Sequence, residues 1–86
     1  MEIRDIEKLI AAGDLARAEA EIDAGIADKA QQWYLRGRIA WKKGDKTAAL
    51  ACYESGADLD PDGPAAIALE QARDIMDFFN KDLYNP

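Results

Sequence analysis

Histidine is missing from this 86-residue chain, and only one cysteine, Cys52, is present. Without His the commonest general base near neutral pH is gone, along with most zinc sites. Cys52 has no His to activate it as a nucleophile and no partner for an internal disulfide, so it reads as a small apolar side chain within a helix. A free thiol suits a reducing compartment. Long apolar runs are also missing, since nothing approaches the roughly 18–20 residues needed to cross a bilayer. Met1-Glu2-Ile3-Arg4-Asp5 lacks a basic segment followed by an apolar one, so no signal peptide is expected and the expected location is cytoplasmic. Positive charge is scarce too. Lys and Arg number 11 against 17 Asp and Glu, a net charge of −6 with a pI near 4.5. That balance argues against nucleic acid and against an anionic membrane surface as partners.

What remains is an ordinary soluble composition, 49% apolar and 33% charged. A chain of this length forms one small domain and buries roughly 60–65% of its unfolded surface. No segment alternates as a strand does, and no low-complexity tract appears. The chain reads instead as helices over about 3–12, 15–27, 30–43, 46–58 and 64–79. Ile3, Ile6, Leu9 and Ile10 share a face of the first, and Leu15, Ala18, Ile22 and Ile26 point inward from the second. Ile67, Ala68, Ala72, Ile75, Met76 and Phe79 form the stripe of the fifth.

Gly13-Asp14 and Gly44-Asp45 recur 31 residues apart, and Ala18, Ile22 and Gly25 after the first match Ala49, Tyr53 and Gly56 after the second. Each pair fits a helix–helix corner. Gly takes the left-handed conformation that ends one helix, and Asp accepts hydrogen bonds from amides opening the next. Small side chains at Ala18 and Ala49 allow paired helices to approach closely. Pro61 stops the fourth helix and Pro64 suits the first turn of the fifth.

Trp33, Gly37, Gly44-Asp45, Ala49, Tyr53, Leu59 and Pro61 together resemble the tetratricopeptide repeat, a helix–turn–helix unit of about 34 residues. Residues 30–63 resemble one full repeat, 1–29 a degenerate one, 64–80 a capping helix, and 81–86 are a tail. Departures are Arg36 in place of Leu, Ala40 in place of an aromatic with Trp41 beside it, and Gly56 in place of Ala. The resemblance implies an all-α fold, a right-handed antiparallel helix-pair superhelix of about five helices in a single domain. It also implies a non-catalytic protein-binding module with a concave groove and no cofactor or metal. Carried over by position, it puts Gln31, Tyr34, Arg38, Trp41 and Lys42 on the groove side, with Glu7 and Ile10 as counterparts on the first helix and Ala68, Ala72 and Ile75 on the fifth.

Arg36, Arg38, Lys42 and Lys43 make the third helix basic and free of acids, a local reversal of sign. Such a strip suits an acidic peptide. It equally suits pairing with acids on neighbouring helices and with the helix dipole. Groove asparagines of the chaperone-binding carboxylate clamp are missing, because the only asparagines are Asn80 and Asn85. Asp58, Asp60 and Asp62 alternate as in a calcium loop, but Gly63 and Pro64 follow and no Glu stands at the twelfth position. Glu19, Glu21 and Asp23 read as a solvated face. Phe78, Phe79, Leu83 and Tyr84 are expected either to fold over the core or to dock on a second copy, so monomer and homodimer both stand. The expected partner is thus a protein or peptide, an acidic one suiting the strip, with self-association as the alternative.

Overall fold

The computed structural model describes residues 1–80, with side chains through Met76. Among these residues the chain is all-helical and has no strand. The helices are α1 (Ile3–Ala11), α2 (Leu15–Gly25), α3 (Lys29–Lys43), α4 (Lys46–Leu59) and α5 (Pro64–Asn80). The expectations for Phe78, Phe79, Leu83 and Tyr84 lie outside the described side chains.

The two Gly-Asp corners close in the same way. Gly13 and Gly44 have φ of 86° and 88°. At the first, Gly13 N–H donates to Ile10 O at 3.0 Å and Asp14 N–H to Leu9 O at 2.9 Å; at the second, Gly44 donates to Trp41 O and Asp45 to Ala40 O, both at 3.0 Å. This paired closure satisfies carbonyls that the helix end leaves orphaned, and it needs a left-handed residue at the glycine. The aspartates differ. Asp45 accepts from the Ala48 amide at 3.0 Å, whereas Asp14 makes no side-chain cap bond, so the expected cap forms at the second corner alone. Asp28 instead caps α3, accepting from Gln31 N–H at 3.1 Å, which starts that helix one residue early. α2 stops at Gly25 because Ile26 is already extended, and its carbonyl accepts from Gln32 Nε2 at 2.5 Å.

Packing centres on α3, which touches all four other helices. α1 also packs on α2, and α4 on α5. Ile6, Ile10, Ala18, Ile22, Ile26, Leu35 and Ile39 form one core. Full burial of residues such as Ile6, Ile22 and Leu35 stabilises by about 1.5–3 kcal/mol each. The second core, Ala49, Tyr53 and Ala72 with Ala40, Trp41, Leu50, Ala68 and Leu69 around them, is poorer in large side chains. It depends on close backbone approach. The Tyr53 ring occupies the space where a Gly37 Cβ would stand, and a Cβ on Gly56 would lie 2.5 Å from Ala65 Cβ and 3.1 Å from Ala30 O. Gly56, which costs α4 about 1 kcal/mol of helix propensity, is thus the point where α3, α4 and α5 converge.

That convergence corrects the expected stripe of α5. Ala65 and Ala72 are buried, while Ile67 and Ile75 are 56% and 43% exposed. The slot beside Gly56 admits an alanine and no larger residue, so α5 turns its small face inward and its isoleucines out. Cys52, expected to be buried, is half-buried.

Candidate partner-binding groove

α3 is amphipathic in an unusual sense, with a core face on one side and cations on the others. Leu35 and Ile39 point into the first core. Arg38 and Lys42, four residues apart and therefore on one side of the helix, are exposed. Trp41 beside them is half-buried against the second core. Around this edge lies a groove of about 340 Å³. α1 contributes Ile10 and Ala11 to its lining, α3 Arg38, Trp41 and Lys42, and α4 Tyr53; α5 contributes Ala68, Gln71, Ala72 and Ile75. The lining is mostly apolar, carries two cations and includes no carboxylate.

Among the residues expected at a binding face, Ile10, Arg38, Trp41 and Lys42 converge on this groove, joined by Ala68, Ala72 and Ile75. Ile10 is itself a buried core residue, so it contributes floor rather than free surface. Glu7, Gln31 and Tyr34 stand apart from the lining. Tyr34 donates its hydroxyl to Glu7 Oε2 at 2.8 Å, tying α3 to α1, and its ring packs against both cores. Gln31 is half-buried in the first turn of α3.

Three lining residues, Ala11, Tyr53 and Gln71, are not anticipated by the sequence. Tyr53 matches the repeat signature and is buried, yet its ring crosses α3 at Gly37 and reaches the groove. Gln71 could have been inferred from its four-residue spacing to Ile75.

Electrostatics separate the cations. Arg36 forms an ion pair with Asp23 of α2, so one member of the basic strip serves helix packing, and Arg73 pairs with Glu54 across α5 and α4 at 3.3 Å. Arg38 instead lies close enough to Tyr34 and Tyr53 to oppose the rise of both phenols. Burial, followed by the bond to Glu7, pushes Tyr34 up to about 12. Burial also raises Tyr53 and the Cys52 thiol, which leaves Cys52 less nucleophilic than a free thiol. Lys46 Nζ stands 5.6 Å from the centre of the Trp41 ring, within cation–π range. Among the described residues no group of three or more acids or thiols is placed to hold a metal ion. Asp60 instead accepts from the Asp62 amide at 3.3 Å.

No family model matches the chain, and no curated protein does. Among solved structures it is similar to Bacteroides fragilis protein BF1650, determined by NMR in solution, with 35% sequence identity and a TM-score of 0.75. The match covers 98% of this chain and 89% of the other. Identity and coverage at that level extend over both helix pairs and α5, and the chain belongs to the same family as the Bacteroides fragilis protein BF1650.

Proposed function

We propose that this chain is a non-catalytic interaction module of tetratricopeptide-like architecture that holds a peptide or partner protein in the groove along α3. Two features support the architecture. Both helix pairs turn through the same Gly-Asp closure, and each odd-numbered helix packs on the next, α1 on α3 and α3 on α5. Stacked helix pairs of this kind leave a wall of first helices open to a ligand. The groove itself carries the functional reading. In a chain of net charge −6, its lining has Arg38 and Lys42 over apolar floor and no acid. Rigid aromatic area beside an arginine fork is the composition enriched at binding hot spots.

Double substitution Arg38→Glu with Lys42→Glu tests this. Partners captured from a lysate by the native chain should be lost by the variant and should elute with rising salt, because exposed charge pairs are screened. Unchanged capture would reject the groove. A cytoplasmic location and a protein partner rather than nucleic acid or membrane belong to the same proposal. No helix among the described residues is long and apolar enough to cross a membrane.

Self-association is the second reading, favoured by the outward Ile67 and Ile75 of α5. A dimer built on those side chains would be insensitive to salt.

A further inference from the structure

α1 and α3 are each followed by a helix that packs on them, whereas α5 has no following helix among the described residues. Its outward row is Ile67, Gln71 and Ile75, all exposed. At about 100° per residue, Glu70 and Asp74 flank that row on one side, and Ala68 and Ala72 flank it on the other. The alanine flank is the one that lines the groove with Arg38 and Lys42. α5 thus presents an apolar row with acids along one edge and cations beyond the other. None of these four charges forms an ion pair among the described residues. Their heights also agree. A Cβ on Gly56 would lie 2.5 Å from Ala65 Cβ and 3.2 Å from Trp33 Cβ, so Ala65 and Trp33 stand level. Arg38 and Lys42 follow Trp33 by five and nine residues, and Glu70 and Asp74 follow Ala65 by the same counts. Both helices run the same way from that level, because the groove is lined by Arg38–Lys42 and Ala68–Ile75 together.

We propose that two copies of the chain pair through α5 in parallel, with Glu70 and Asp74 of each copy facing Arg38 and Lys42 of the other. Ile67, Gln71 and Ile75 of one copy then pack on the same row of the second. This rests on the self-association reading and adds the direction of pairing and the role of the charges. Symmetry sets the direction. A two-fold axis running along the helices exchanges the two flanks, so each acidic edge meets a groove edge at the same height. An axis across the helices brings like flanks together, acid on acid and cation on cation, which is repulsive. Because charges hold its edges, the parallel dimer weakens with salt. One held by the isoleucines alone does not.

The test is sedimentation equilibrium of the full chain at low and high salt, about 0.05 and 0.5 M. The native chain should form a dimer whose dissociation constant rises at least about tenfold between the two. At low salt, Glu70→Lys with Asp74→Lys should weaken the dimer at least about tenfold, and so should Arg38→Glu with Lys42→Glu. Mixing the two double variants should restore it, since both edges of the mixed pair again join opposite charges. All four positions are exposed, so the circular dichroism of each variant should stay helical. An antiparallel dimer already sets like charges together, and neither variant would weaken it. A dimer indifferent to salt and to both variants therefore overturns the parallel charge pairing and leaves self-association standing. Weakening without restoration on mixing overturns the pairing as well. A native chain that stays monomeric at every concentration removes self-association and this arrangement together.

Discussion

The ring of Tyr53 lies where the side chain of residue 37 would begin, so Gly37 and Tyr53 form one joint between α3 and α4. An alanine at 37 gains about 1 kcal/mol of helix propensity but forces a methyl into a buried ring. Overpacking of this kind costs about 1–3 kcal/mol. Gly37→Ala should therefore lower the urea midpoint despite the better helix former. Because Tyr53 also lines the groove, the same substitution should weaken partner binding.

Gly56 and Gly44 predict different costs from the same change. Gly56→Ala meets Ala65 Cβ at 2.5 Å and the Ala30 carbonyl at 3.1 Å, neither of which can swing aside, so α5 must shift. At Gly44 nothing lies within 4 Å, but φ is +88°, and the expected cost is about 1 kcal/mol of backbone strain. Native-state hydrogen exchange distinguishes them. Gly56→Ala should lose protection across α5, and Gly44→Ala should lower stability without singling out that helix.

Tyr34 carries a pH dependence whose sign follows from its phenol. The folded chain raises it from 10.0 to about 12, so the neutral form is the one the fold favours. That contribution is fully present below pH 10 and is lost as pH rises through about 12. Tyr53 is shifted in the same direction. Thermal unfolding followed from pH 9 to 12 should fall less steeply in Tyr34→Phe than in the native chain. At neutral pH the substitution removes a partly buried hydrogen bond to a carboxylate, at an expected cost of about 1–2 kcal/mol.

Ile67→Glu and Ile75→Glu bear on self-association. Both side chains are exposed, so folding stability should change by no more than about 0.5 kcal/mol for each. If copies of the chain pair through α5, sedimentation of the double variant should give a monomer mass where the native chain gives a dimer. Identical masses at every concentration would remove the α5 dimer from consideration.

Much of this fold is readable in the residues, because its corners are local. Gly13 and Gly44 turn where a left-handed residue is required, and their neighbours repeat the pattern. The cations at Arg38 and Lys42 stand out against an acidic composition, so half of the groove is visible before any packing is known. The orientation of α5 is not. Hydrophobicity ranks Ile67 and Ile75 above Ala65 and Ala72, and only the close approach at Gly56 shows why the smaller residues face inward. Tyr34 escapes for a related reason. Its ring could line a groove equally well, and its hydrogen bond to Glu7, 27 residues earlier, makes it a tie between helices.

Among the described residues α1 and α2 touch α3 but neither α4 nor α5, so the two ends of the chain communicate through a single rod. The groove spans that divide, from Ile10 to Ile75. An occupant is therefore a second bridge laid across a molecule that otherwise has one. A partner held there as proposed should make the amino-terminal pair and the carboxyl-terminal trio melt together, sharpening the transition as well as raising its midpoint.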